Sequence, residues 1–246
     1  MRESTRWMSL VAATFTWACS GNHNSPASAA ATSASMAPAL NTLSPAEKTA
    51  GWRLLFDGKT TAGWRAYNAD TMPSGWQVVD GILTRVSRAA DIITKDQFGD
   101  FEVTLDWKLE PGGNSGLFYR AVEGLEWIYH GAPEYALLDD ERHSDGKNPL
   151  TSAGSVHSVY APPRGVVKPA GEWNTSRVVA KGTHVEHWMN GVKLLEYEIG
   201  SPDWEKRMNA SKFATMPGYG RKPTGYIALQ DHGDLVSYRS IRIKKL

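Results

Sequence analysis

From Gly51 onward, apolar and polar residues alternate with a period of two. The clearest run is residues 101–109. There Phe101, Val103, Leu105, Trp107 and Leu109 share one face, and Glu102, Thr104, Asp106 and Lys108 share the other. Such alternation predicts an antiparallel strand with one side in a core and one in water. Asp80-Gly81 between residues 76–79 and 82–86 predicts a hairpin, as does Asn190-Gly191 between 185–189 and 192–197. Asx-Gly readily takes the positive φ angles of a type I′ turn. Further strands are expected at 52–56, 91–94, 116–120, 134–138, 177–181, 225–230 and 236–243. The helical signals are short. Ser44-Pro45-Ala46-Glu47 has the form of a capping box with Pro at the first helical position, and Ser201-Pro202-Asp203-Trp204 opens a second short helix.

Many strands with few helices mean a sandwich or barrel. Long Pro- and Gly-containing loops at 124–133, 139–154 and 161–173, together with ten Trp, favour an all-β jelly-roll sandwich. This is the architecture of legume lectins and glucanases: two antiparallel sheets, few short helices, and an open face that binds glycans. Long loops on a rigid sandwich are where binding sites usually sit.

Composition narrows the function classes. The 27 basic and 26 acidic residues leave a formal charge of +1, which gives no field for gathering nucleic acid. Cys19 is the single cysteine, so an intrachain disulfide and a multi-thiolate zinc site are both excluded. Arg2 and Arg6 precede an apolar stretch at 8–18, too short to span a bilayer but suited to an export signal. It ends in Thr16-Trp17-Ala18-Cys19. A small residue before Cys is the pattern of a bacterial lipoprotein, with the lipid on Cys19. Ser20 in place of Asp favours outer-membrane sorting. The expected plan is a signal at 1–19, an Ala/Ser/Pro tether at 20–42 and a folded domain at 43–246. The protein is then exported to the periplasm or cell surface and touches the membrane through its lipid anchor only.

Strand phase sorts the polar residues. With Ile227 and Leu229 in the core, Tyr226, Gln230 and His232 share the open face. With Leu117 and Tyr119 in the core, Arg120 faces out, and Glu134 does so opposite Tyr135 and Leu137. Val185 and Met189 point inward, which puts Glu186 and Trp188 outside and His187 inside as a hydrogen-bonded core histidine. Asp139-Asp140-Glu141-Arg142-His143 reads either as a solvated loop or as a holder of a divalent ion. The paired-carboxylate strand Glu-x-Asp-x-x-Glu of many jelly-roll glucanases is missing, which weighs against direct two-carboxylate hydrolysis. The chain also lacks Gly-x-Ser-x-Gly, a Walker A loop and His-Glu-x-x-His.

Several segments in order resemble one family. They are Gly51-Trp52-Arg53-Leu54-Leu55-Phe56-Asp57-Gly58-Lys59-Thr60 with Gly63-Trp64, Gly113-Asn114-Ser115-Gly116-Leu117-Phe118-Tyr119-Arg120, Pro133-Glu134-Tyr135, and Leu138-Asp139-Asp140. Gly171-Glu172-Trp173-Asn174, His187-Trp188-Met189-Asn190-Gly191 and Ala228-Leu229-Gln230-Asp231-His232-Gly233 complete the set. Together they resemble the 3-keto-disaccharide hydrolase domain family over about 43–246. The resemblance implies a concanavalin-like jelly roll and cleavage of 3-keto-glycosides. Where that family often has Gln after Pro-Glu-Tyr, this chain has Ala136.

Chemistry of that kind needs one base and one enolate stabiliser. A ketone at carbon 3 acidifies the carbon 2 proton; its removal expels the group on carbon 1, and water then adds. The resemblance implies Glu134 or His187 as the base, and Arg120, His232 or a divalent cation at the oxyanion. Asn114, Gln230, Tyr226 and Asp139 would contact the sugar, and Trp188 would stack on it. The competing expectation is a non-catalytic surface carbohydrate-binding module. It predicts a shallow groove without convergent titratable groups.

Overall fold

The computed structural model describes residues 39–246. The export signal, Cys19 and most of the expected tether lie outside the described residues. Within them, the capping box forms as its sequence predicts. Ser44 Oγ accepts the Glu47 N–H at 3.2 Å, and Glu47 Oε2 accepts the Ser44 N–H at 2.8 Å, opening α1 (Pro45–Thr49).

Thirteen strands follow in chain order: β1 (Trp52–Leu54), β2 (Trp64–Ala66), β3 (Trp76–Val79), β4 (Ile82–Arg85), β5 (Ile92–Phe98), β6 (Phe101–Leu109), β7 (Asn114–Ala121), β8 (Glu134–Leu138), β9 (Asn174–Lys181), β10 (His184–Met189), β11 (Val192–Glu198), β12 (Gly225–Leu229) and β13 (Val236–Lys245). The second helix, α2 (Pro202–Asn209), is capped by Ser201. Both Asx-Gly hairpins form, with φ of 50° at Asp80 and Asn190.

The strands make two antiparallel sheets. One has eight strands, in the order β11-β10-β9-β6-β13-β4-β3, with β1 also on β13. The other has five, in the order β2-β5-β12-β7-β8. Long β13 serves two neighbours along one edge: residues 236–238 pair with β4 and residues 242–244 with β1. Between them Ser240 has a positive φ, and its N–H is held by Asn41 Oδ1 at 2.7 Å.

Period-two alternation builds the core between the sheets. Val103, Leu105 and Trp107 from the larger sheet meet Leu117, Tyr135, Leu137, Ile227 and Leu229 from the smaller, all fully buried. The outer face of the five-stranded sheet carries a second apolar cluster of Ile93, Phe118, Ala121, Ala228, Ile128 and Ala132. The last two come from the loop after β7, which therefore lies over part of that face. Segments after β8, α2 and β12 border the part of it that carries Asn114 and Glu134.

Two local irregularities decide what the face presents. Tyr226 pairs with Ala121 and Ala228 with Phe118, so Tyr119 and Arg120 together oppose the single residue Ile227. This bulge, with Arg120 at φ 53°, breaks the alternation. On the other side of β12, Tyr226 pairs with Gln97 and Ala228 with Ile93. There Thr94 Oγ1 takes the Ile227 N–H. The extra residues Lys95 and Asp96 are exposed, so β5 runs on to Phe98, beyond the 91–94 that periodicity indicates. Strand β2 was not indicated by periodicity.

Candidate active site

Glu134 opens β8, the edge strand of the smaller sheet, with its side chain on the outer face. The neighbour beneath it is Gly116 on β7. A Cβ there would lie 2.9 Å from Glu134 Oε1 and 3.0 Å from its Cγ, closer than side chains pack. Glycine thus leaves the space that the carboxyl fills. Glu134 is 6% exposed, and its carboxyl has no hydrogen bond or ion pair among the described residues. Burial pushes its pKa up to about 8; Lys212 pulls in the opposite direction.

The carboxyl faces a cleft of about 460 Å³, within the range of small-molecule sites. Strands supply its floor: Asn114 and Glu134, with Gln230 just past β12. Gln230 is fixed by its backbone, whose N–H donates to Gly116 O and whose carbonyl accepts from Ser115 Oγ. Its Oε1 is buried without a partner among the described residues. Loops supply the walls. Tyr129 comes from the loop after β7, Asp145, Thr151, His157 and Ser158 from the segment after β8, Lys212 from that after α2, and His232 from that after β12.

His157 is tied to the base of the site, its backbone N–H donating to Glu134 O at 3.0 Å. Burial first, and then Lys212, lower its pKa to about 4, so its ring is neutral at ordinary pH. The usual order is inverted: at neutral pH the proton sits on the carboxyl and not on the imidazole. Groups whose environments drive their pKa values apart mark acid–base chemistry.

Five residues named from the sequence are elsewhere. His187 does point inward, but inward is the core between the sheets. Its Nε2 meets Tyr119 Oη at 2.9 Å, its Nδ1 meets Gly154 O at 3.0 Å, and it is fully buried. The five-stranded sheet separates it from the cleft, so it does not belong to the site. Arg120 is carried off the outer face by the bulge. Its guanidinium donates to Gly99 O and Gly182 O, clipping the turns between β5 and β6 and between β9 and β10. Trp188 lies on the outer face of the other sheet, bonded to Glu186 and flanked by Arg177 and Lys193. Asp139 is buried and spends its carboxylate on the N–H groups of Gly112 and Glu141. Tyr226 shares the outer face with Gln230 but sits under Arg65, away from the cleft.

The cleft does contain Glu134, Asn114, Gln230 and His232. Strand phase did not disclose His157, Lys212, Tyr129 and Asp145, because loops carry them. The length of the loops at 124–133 and 139–154 is the sequence signal for Tyr129 and Asp145, whereas His157 and Lys212 fall outside those loops.

One trio at the cleft rim has the spacing to hold a cation: His143, His232 and Asp234. Two imidazoles and a carboxylate suit a first-row divalent metal. However, His143 Nδ1 accepts the Asp145 N–H and Asp234 Oδ2 accepts the Asn114 N–H, so metal would compete with bonds already made.

Comparison with known proteins follows the same lines. The family profile of the 3-keto-alpha-glucoside-1,2-lyase-like domain matches residues 51–244. A 3-keto-disaccharide hydrolase of Bacteroides thetaiotaomicron is 34% identical over 230 residues, covering 80% of this chain and 79% of that one. A Parabacteroides distasonis crystal structure, provisionally described as a glycosyl hydrolase, superposes with a TM-score of 0.79. It is 37% identical and covers 85% of this chain and all of that one. A Bacillus subtilis protein with a galectin-like fold is 16% identical with a TM-score of 0.50, covering 75% of this chain and 90% of that one. It shares the fold alone.

Proposed function

Because the chain belongs to the 3-keto-alpha-glucoside-1,2-lyase-like domain family, we propose that the Glu134 cleft cleaves 3-keto-glycosides by elimination and rehydration. An enzyme acting on glycosides follows from the family and from the hydrolase relative. The observation that carries the mechanism is the buried, unpaired Glu134 carboxyl facing Lys212.

A carboxylate desolvated in this way is a strong base with a pKa close to working pH, as proton abstraction from carbon requires. Glu134 takes the carbon 2 proton. The electrons form the enolate of the carbon 3 ketone, and the Lys212 ammonium stabilises that oxyanion. The enolate collapses, forming the carbon 1–carbon 2 double bond and breaking the bond from carbon 1 to the leaving oxygen, which departs with a proton as an alcohol. Water then adds at carbon 1 and a proton returns to carbon 2, so one water is consumed in all. Asn114, Gln230 and neutral His157 hold hydroxyls. His232 stands at the mouth of the cleft. In this reading Lys212 takes the oxyanion-stabilising role expected of Arg120.

The N-terminal pattern ending at Cys19 supports the reading that this chemistry takes place outside the cytoplasm, on a lipid anchor. A divalent cation on His143, His232 and Asp234 would be a further oxyanion stabiliser, and loss of turnover on adding a chelator would reveal it.

A second reading draws on Asp145, a further carboxyl in the same cleft: Glu134 and Asp145 would act as a conventional glycosidase pair. Turnover of a 3-keto-glucoside in D₂O separates the two. Elimination places deuterium at carbon 2 of the released sugar. Release with carbon 2 protium retained supports the carboxylate pair, and absence of release rejects both.

A further inference from the structure

A second cavity of about 590 Å³ adjoins the first, and His232 lines both. Its inner end is formed by Asp91, just before β5. From β8 to β5 there are three interstrand spacings, so the two cavities together run for about 14 Å across the sheet. That is longer than one hexose ring.

Trp127 stands at the junction. It is 52% exposed, and its ring stacks on Tyr129 at 6.2 Å with 13° between planes. Tyr129 lines the Glu134 cleft and Trp127 the neighbouring cavity, so the aromatic pair bridges the two. The loop that carries Trp127 is firmly held. Arg65 grips Glu123, Tyr67 Oη donates to Val122 O, and Asn68 bonds both Gly124 and Leu125. A large apolar ring fixed in an exposed position over a polar groove is a stacking surface.

The groove also offers polar groups for hydroxyls. Arg88 lines it and makes no hydrogen bond or ion pair among the described residues. Asp91 accepts the Asp231 N–H through Oδ1 at 2.8 Å, and no bond engages its Oδ2 among the described residues. The wall behind is rigid: Arg85 pairs with Asp231 at 2.7 Å, and Asp231 also accepts the Ala89 N–H.

We propose that this groove is the leaving-group subsite. A second pyranose stacks on Trp127 while its hydroxyls bond Arg88 and Asp91, making the protein selective for 3-keto-disaccharides over glycosides with small aglycones. This inference rests on the proposed function of the Glu134 cleft.

The test compares Trp127→Ala and Arg88→Ala with the unaltered protein on two substrates, a 3-keto-disaccharide and methyl 3-keto-glucoside, whose leaving group is methanol. Each substitution is expected to lower kcat/KM on the disaccharide about tenfold, mainly through KM. Turnover of the methyl glycoside should stay unchanged. Equal losses on both substrates, or none on either, overturn the subsite. If the unaltered protein cleaves neither substrate, it is the reading of the Glu134 cleft that has failed. The subsite is then judged by calorimetry of maltose binding: weaker binding by Trp127→Ala supports it, and equal or absent binding overturns it.

Discussion

Gly116 and Glu134 occupy one volume between them: the carboxyl of Glu134 lies where a side chain on Gly116 would have to go. The two residues are diagonal neighbours on adjacent strands, with Gly116 opposite Ala136 on β8 and Glu134 opposite Phe118 on β7, so the constraint is set by the sheet and not by a loop. Gly116→Ala is therefore expected to push the carboxyl aside without unfolding the protein. A misplacement of about 1 Å at a reacting group costs on the order of 100-fold in rate. Turnover of a 3-keto-glucoside, with circular dichroism as the check on folding, tests this.

Glu134 gives a pH signature in activity. Its folded pKa is raised to about 8, so the base form grows as pH rises. The rate should climb about tenfold per pH unit below pH 8 and level off above it. Glu134→Gln should lose about 100-fold to 10,000-fold and show no such climb. An unchanged profile in that variant would remove Glu134 from the role of base.

The same carboxyl gives a signature in stability with the opposite slope. A raised folded pKa means that the native state binds a proton the unfolded chain has already released between pH 4.5 and pH 8. Stability from this group is fully present below pH 4.5 and falls as pH rises to 8. Glu134→Gln is free of that loss. Its Tm should exceed that of the unaltered protein, with the margin growing from pH 5 to pH 8, as expected where function is maintained at the expense of stability.

His187 predicts the reverse. Burial depresses its folded pKa to about 4, so it must be neutral to stay in place. Its contribution is complete above pH 6.5 and is lost as pH falls toward 4, because the unfolded state there binds the extra proton. His187→Gln should flatten the fall of Tm over that range and cost about 1–3 kcal/mol through the bonds to Tyr119 and Gly154. Its kcat/KM should remain within a few-fold of the original. A loss like that of Glu134→Gln would return His187 to the site.

Arg120→Ala tests the bulge. Removing charge-assisted bonds to two turns should lower stability by about 3 kcal/mol or more, measurable by denaturant unfolding. Activity per folded molecule should be unaffected.

The frame of this protein is legible in its sequence because period-two alternation is a local property. Residues 101–109, both Asx-Gly hairpins and the Ser44 capping box could each be read from a few neighbouring letters. The outward placement of Glu134 and Gln230 follows from the same phase. Arg120 departs from the outward phase because a bulge shifts it by one residue, and only the pairing of β7 with β12 reveals the shift. His187 and Trp188 fall outside the cleft for a different reason. Their phase was correct, but phase does not say which of two sheets owns the strand, and β10 belongs to the sheet far from the cleft. His157, Lys212 and Trp127 come from loops, whose convergence is a long-range outcome of folding.

This division between strand and loop has a further consequence. Glu134 and Gly116 belong to paired strands, whereas Lys212, His157 and the stacked pair Tyr129 and Trp127 are delivered by three separate connections. Insertions and exchanges in those connections can reshape what the groove accepts while the proton-abstracting group keeps its position. Such a scaffold can diversify across glycans during evolution without reinventing its reaction.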